Sequence, residues 1–363
     1  VTSDPAELRR LIAAVGPLDE AAMAAARARQ AQLIKPPGSL GRLEELACQL
    51  AGITGQPRPR LERAVVLVLA ADHGVVSEGV SAYPAAVTAQ MARAVLAGQA
   101  AISVLARQAG AAVQVIDIGT AGDGVAAPAA SPGGALIVRK WRRGTANLAA
   151  GPALARAEAL AALTAGAASA TEAAAGGGTV VLTGELGIGN TTAAAALTAV
   201  MTGQPPAATT GRGAGLDDAG LRRKIAVVER ALAVNRPDPA DPLGVLAAVG
   251  GLEIAGLVGV ILGAAATRAP VLLDGYITGA AALVAVALCP AARGYLIAGH
   301  CSAEPGHRLA LAHLGLAPLL DLDLRLGEGT GAVLALPLVR AAAATLDQMA
   351  TFAEAGVAGK GDR

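Results

Sequence analysis

The stretch GELGIGNTT at residues 184–192 follows an apolar run and precedes an Ala-rich one. Gly187 and Gly189 would let main-chain amides approach an anion closely. Asn190 or Thr191 would cap the helix behind them, whose N-terminal dipole favours negative charge. No lysine follows the glycines, so this is not a Walker loop, and the GxxGxG spacing departs from the dinucleotide fingerprint. The pattern reads as a phosphate cradle, with a plain strand-to-helix turn as the alternative. Glu185 is out of place in a pure anion site, and a carboxylate there suits a hydroxyl or a ring nitrogen better.

Four further stretches carry candidate chemistry. In LRLGEGTGA (324–332), Glu328 stands between two glycines at a predicted strand end. Flanking glycines expose a side chain, and a carboxylate in a partly apolar pocket has a raised pKa and suits a general base; ordinary turns carry the same tripeptide. GHCSAEPGH (299–307) brings together two histidines, Ser302 and a glutamate. It contains neither HExxH nor a nucleophile elbow, so Ser302 reads as a phosphate or ribose contact rather than part of a metal or hydrolase centre. ADHGVVSEGVSAYP (71–84) puts Asp72 and His73 at a strand end, before a loop that ends at Tyr83 and Pro84. That loop could wall an aromatic ligand, or Asp72 and His73 could simply cap the sheet edge or the next helix. GRGAGLDDAGLRRK (211–224) is a Gly-rich loop feeding a helix capped by Asp217 or Asp218. Lys224 then falls about two turns in, as a phosphate partner or a solvated lysine.

The elements that must hold these residues are written in the apolar pattern. Short β-branched runs at 65–70, 113–118, 179–183, 271–273 and 294–298 alternate with Ala-rich helical stretches, and 319–326 alternates Leu with Asp or Arg like a half-exposed strand. Continuous apolar strands separated by helices imply an α/β fold: a Rossmann-like, mostly parallel sheet with helices on both faces. Each run ends in a polar cluster, including Asp274–Gly275 and Gly299–His300, and in such sheets ligands bind just outside the carboxyl ends of the strands. Before residue 60 the chain reads as helices: a start at Asp4–Pro5, a run over 19–33, a rigid loop over 35–41 and an amphipathic helix over 42–51. After Pro337 it returns to helix over 338–355. The expected organisation is a large α/β domain over 61–337 and a small helical domain made of 1–60 and 338–363.

Composition narrows the classes. Lys and Arg total 29 against 28 Asp and Glu, so the basic excess of a nucleic-acid binder is missing. At 54% apolar and 16% charged the chain has ample material for a core, but with 1% aromatic residues Ala, Val and Leu must fill it. Cys48, Cys289 and Cys301 are too few and too scattered for a disulfide framework and form no CxxC pair, which suits a reducing, cytoplasmic setting. The first 30 residues lack the apolar core of a secretory signal. Residues 275–292 carry no charge, yet they are mostly Ala and Gly and contain Pro290, so they read as a buried helix and not a membrane span. The RKWRR cluster at 139–143 reads as a solvated loop or strand edge, or more sharply as a phosphate or subunit contact.

Taken together, the motifs resemble the nicotinate-nucleotide–dimethylbenzimidazole phosphoribosyltransferase family. The five stretches above, with KPPGSLGRLEELA (35–47), GTANLAAGPALARAEA (144–159) and LDGYITGAAALVA (273–285), run in family order from Lys35 to the end of the chain. The resemblance implies transfer of the ribose phosphate of nicotinate mononucleotide to a benzimidazole nitrogen, with release of nicotinate and formation of α-ribazole 5′-phosphate, the nucleotide-loop precursor of cobalamin. Composition leaves no nucleic acid and no membrane as partners; the resemblance implies no metal and no cofactor, but a homodimer in which the small domain of one subunit closes the other's site. It makes Glu328 the base. It puts the phosphate on the amides of Gly187, Ile188 and Gly189 near Lys224, adds Gly213 and Ser302 as second-tier contacts, and puts Glu185 near the ribose or leaving group. Ser81, Tyr83 and Gln90 (or Met91) would border the base pocket, whose preferred heterocycle stays open. A non-catalytic nucleotide or benzimidazole binder on the same fold, with no need of Glu328, is the competing reading, and an unrelated metal-dependent hydrolase is a weaker one.

Overall fold

The computed structural model describes residues 4–127 and 131–358. The expected end segments at 1–3 and 359–363 lie outside the described residues. The β-branched runs become the strands β1 (Arg63–Ala71), β2 (Ala112–Gly119), β4 (Thr179–Leu186), β5 (Val271–Leu273) and β6 (Leu296–Ala298), joined at one edge by β3 (Ala135–Val138). They align all-parallel in the order β3-β2-β1-β4-β5-β6, the Rossmann order. The chain winds outward from β1 to β3, then returns to place β4 on the other side of β1. The carboxyl ends of β1 and β4 therefore flank the point where the winding reverses, the place where such sheets open a crevice.

Strand alternation splits the core into two layers. Leu67 and Leu69 of β1 bury among the helices Arg156–Ala174, Leu252–Ala266 and Tyr276–Leu288. Val66 and Val68 bury on the opposite face, among Glu20–Gln30, Arg42–Thr54, Ala101–Ala109 and Thr330–Gln348. With few aromatic residues to space them, helices approach closely: a Cβ at Gly259 would stand 1.8 Å from the Leu163 carbonyl oxygen of the crossing helix.

Four departures from the sequence reading have physical causes. The 319–326 alternation forms only the two-residue β8 (Leu320–Asp321), paired with β7 (His300–Cys301), and Asp323 turns to φ 53°. A period of two makes a strand only where a neighbour exists to pair with, and β7 is two residues long. The sheet's sixth strand is instead β3, whose Leu136 and Ile137 are partly buried and whose end residues are exposed. Pro337 does not begin the last helix; it lies inside Thr330–Gln348, where burial of Ala335, Leu336 and Val339 on the sheet offsets one missing amide. The expected helix over 19–33 ends at Gln30, and Leu33 forms an antiparallel bridge with Thr351.

That bridge is one of several contacts between the chain ends. Arg29 donates to the carbonyls of Leu346, Asp347 and Met349, and the Ile34 amide donates to Ala350. Helices Glu20–Gln30 and Arg42–Thr54 share one core with a sheet face, whereas Pro5–Ala14 packs on helices of the opposite face.

The uncharged run at 275–292 becomes the buried helix Tyr276–Leu288 and a short 3₁₀ turn. Thirteen residues span about 20 Å, well short of a hydrocarbon core. Thr330–Gln348 is longer and largely apolar, but it packs on the sheet and on Arg42–Thr54. In the basic cluster, Arg139, Lys140 and Arg142 pair with Glu172, Asp117 and Glu158, while Trp141 is exposed.

Candidate active site

A cavity of about 480 Å³ opens at the carboxyl ends of β1 and β4. Its wall draws on seven segments: Val80–Tyr83 after β1, Val87 and Met91 on the helix that follows, Glu185–Thr191 at the end of β4, Gly213–Ala214, Gly275–Ile277 after β5, His300–Glu304 and Arg325–Glu328. Glu185, Gly187, Ile188, Gly189, Asn190, Gly213, Ser302, Ser81, Tyr83 and Glu328 all border it.

At the β4 end, Gly189 is the N-cap of the Asn190–Thr202 helix at φ 93°. Neither Asn190 nor Thr191 caps that helix. Asn190 turns back and donates its side-chain amide to Glu185 Oε2, while Thr191 Oγ1 accepts from Lys224 Nζ at 2.7 Å. The expected three-amide cradle is narrower by one, because the Ile188 amide is already committed to Thr88 Oγ1 at 3.1 Å. Gly187 and Gly189 line the cavity, with the helix N-terminus behind them.

Lys224 lies about two turns into the helix capped by Asp217, as its spacing predicts. It is not solvated. It is fully buried behind the wall, bonded to Thr191 and to the Gly211 carbonyl at 3.2 Å, and burial lowers its pKa to about 8 against the opposing pull of Glu304. Glu304 ties two loops together: its Oε1 accepts from the Gly213 amide at 2.8 Å.

Glu328 is buried, at φ 65°, between Gly327 at 85° and Gly329 at 93°. Three successive left-handed residues are a strained path for a chain, tolerable for the two glycines and costly for the glutamate. The Ile102 amide donates to its Oε2 at 3.4 Å. Burial raises the Glu328 pKa, with the Ile102 amide opposing and the charge of Asp274 adding. Glu185 is raised further, to about 8, by burial and then by Asp274, with Asn190 opposing. Glu185 therefore keeps its proton at neutral pH, which leaves Glu328 as the candidate base of the two.

Several residues fall elsewhere than their motifs suggest. Gln90 is exposed and absent from the wall, where Val87 and Met91 stand instead. Positions 87 and 91 share a helix face, and 90 is turned about 100° from 91. Asp72 and His73 do not touch the cavity: Asp72 Oδ2 accepts from the Ala121 amide, and His73 Nε2 lies 2.6 Å from Glu253 Oε1 in full burial. Ser302 borders the cavity, and its amide donates to His307 Nδ1 at 2.8 Å; burial, His300 and Arg308 hold that imidazole's pKa down at about 3. Among the described residues no three His, Cys, Asp or Glu side chains converge as a metal site would need. Thr88, Tyr276 and Leu326 are not legible as site residues in the sequence, since only the fold brings their segments together. Asp274 is visible there as a strand-end acid, but its three amide partners are not.

A family profile described as phosphoribosyltransferase matches residues 15–357. The chain is 57% identical over 352 residues to the nicotinate-nucleotide–dimethylbenzimidazole phosphoribosyltransferase of Desulforudis audaxviator, covering 96% of this chain and 98% of that one. It is 54% identical to the protein of that name from Salinispora tropica, covering 97% and 100%. The crystal structure of CobT from Thermus thermophilus superposes with a TM-score of 0.88 at 52% identity, covering 94% of this chain and all of the other. With a Rossmann-ordered sheet, a glycine-walled cavity at its switch point and this identity along nearly the whole length, the chain belongs to the nicotinate-nucleotide–dimethylbenzimidazole phosphoribosyltransferase family.

Proposed function

We propose that the cavity transfers the 5-phosphoribosyl group of nicotinate mononucleotide to 5,6-dimethylbenzimidazole, in assembly of the cobalamin nucleotide loop. The observation that carries this is the buried Glu328 carboxyl group in the wall of the same cavity as a glycine-walled helix N-terminus. The phosphate sits at Gly187 and Gly189, with Lys224 behind Thr191 supplying positive charge and Gly213 and Ser302 alongside. Tyr83 and Leu326, both half exposed at the rim, offer apolar faces to the incoming heterocycle.

The chemistry asks little of the protein. Nicotinate leaves as the electron pair of the C1′–N bond passes to the pyridinium nitrogen. One benzimidazole nitrogen attacks C1′ from the opposite side, so a β-nucleotide gives an α-product, and the proton on the other nitrogen passes to the Glu328 carboxylate. Glu185, carrying its proton at neutral pH, can donate a hydrogen bond to the ribose or to the leaving nicotinate. No step needs a metal or cofactor. Holding the two substrates in line supplies much of the remaining rate.

Mixing the protein with nicotinate mononucleotide and dimethylbenzimidazole should release nicotinate and α-ribazole 5′-phosphate in equal amounts. Binding of both compounds without nicotinate release would instead support a binder on the same fold. We further read the helical segments of both chain ends, 1–60 with 338–363, as a unit that closes the site of a second subunit in a homodimer. The open apolar rim at Tyr83 and Leu326 is the support, being a surface suited to cover. Sedimentation of the active enzyme should show the dimer, and full turnover by a monomer would overturn this. Three unpaired, buried cysteines suit a cytoplasmic setting.

A further inference from the structure

The Thr330–Gln348 helix begins inside the catalytic loop and has no cap of its own. Its N-cap is Gly329, which carries no side chain, and a Cβ there would stand 2.7 Å from Val66 Cγ1. A helix start leaves its first amides without intrahelical partners. Here those amides are answered from another strand. Asp274, just past β5 and only 1% exposed, accepts from Gly331 at 2.7 Å and Ala332 at 3.1 Å through Oδ1, and from Gly329 at 3.0 Å through Oδ2. Its own amide donates to Thr183 Oγ1 on β4 at 3.1 Å.

We propose that Asp274 is a positioning residue for the reaction: by gathering three amides of the loop and helix that follow Glu328, it fixes the left-handed turn at Glu328 and so aims that carboxylate at the incoming heterocycle. A negative charge at a helix N-terminus is favourable in itself. Supplied from β5, it also locks the loop to the sheet. The nearby charge of Asp274 works in the same direction, since it helps keep the Glu328 proton affinity high. This inference rests on Glu328 being the base.

Asp274→Asn tests it. The amide that replaces one carboxylate oxygen faces main-chain donors, so either Gly329 or the Gly331–Ala332 pair loses its acceptor. The expected result is a kcat about 10- to 100-fold lower, as for a displacement of about 1 Å at the reacting group, with KM for both substrates within about threefold. Because Asp274 acts through Glu328, the double variant with Glu328→Gln should be no slower than Glu328→Gln alone. Additive losses would make Asp274 merely structural, and an unchanged kcat would overturn the proposal. Full activity of Glu328→Gln would instead remove the base reading beneath it. If Asp274→Asn does not fold, hydrogen exchange in the wild-type protein decides. Slow exchange at Gly331 and Ala332, amides a helix cannot protect by itself, is the expected result, and exchange at the rate of open first-turn amides overturns it.

Discussion

Glu328→Gln is expected to lower kcat by about 10²- to 10⁴-fold, the usual worth of a positioned base, while binding of nucleotide and benzimidazole changes little. Glutamine keeps the size of the side chain and an acceptor for the Ile102 amide, but it cannot take the benzimidazole proton. The pH dependence should carry the same signature. Burial, reinforced by Asp274, raises the Glu328 pKa, so the wild-type rate should still be climbing with pH above the ordinary carboxylate range. The sign follows from the role: the base works ionised, so activity falls as pH drops through its raised pKa. Glu185, held up to about 8, stays protonated across that interval and does not substitute as base. The gap between wild type and variant should therefore be widest above that raised pKa and close as acid protonates Glu328. Nicotinate release measured from acid to neutral pH checks this, and a variant within threefold of wild type throughout would end Glu328's assignment.

Gly184→Ala should be nearly as damaging, although residue 184 touches no substrate. A Cβ at this position would stand 2.6 Å from the Glu328 carbonyl oxygen, 2.9 Å from its carbon and 3.0 Å from the Gly329 nitrogen. All three are main-chain atoms, so no side chain can rotate away. Gly184 itself sits within β4, in register with Val68 of β1, and cannot retreat. The catalytic loop must give way, and a shift of about 1 Å at a reacting group costs on the order of 10²-fold in rate. Overpacking should also lower stability by about 1–3 kcal/mol. Turnover and the urea midpoint, measured together, separate the two effects. Wild-type values of both would mean that the loop yields freely.

Most of the architecture follows from local rules that a sequence carries openly. Buried strands such as 64–71 are unbroken apolar runs, and the glycine clusters at the strand ends are where the cavity opens. What local rules miss depends on partners distant in the chain. The Ile188 amide is lost to Thr88, 100 residues away, and nothing near 188 announces it. For Lys224 the sequence leaves a phosphate partner and a solvated lysine both open, and only the loops around Gly211 and Thr191, which bond it in burial, exclude the second. Gln90 and Met91 differ in which way the helix turns them, and that is settled by the burial of Thr88, Ala92 and Val95 on the same helix. Pro337 misleads because a proline's cost is local while the gain that outweighs it, the seating of a long helix on the sheet, is not.

The scarcity of aromatic residues has an optical consequence. The single indole, Trp141, is 46% exposed and stands outside the cavity wall, so its emission reports the solvent at the molecule's edge. Of the three phenols, Tyr83 and Tyr276 face the cavity and Tyr295 is buried elsewhere. Tyrosine fluorescence, normally swamped in proteins, is here the native spectroscopic probe of occupancy: a heteroaromatic guest that absorbs in the near ultraviolet quenches it while the tryptophan signal holds steady.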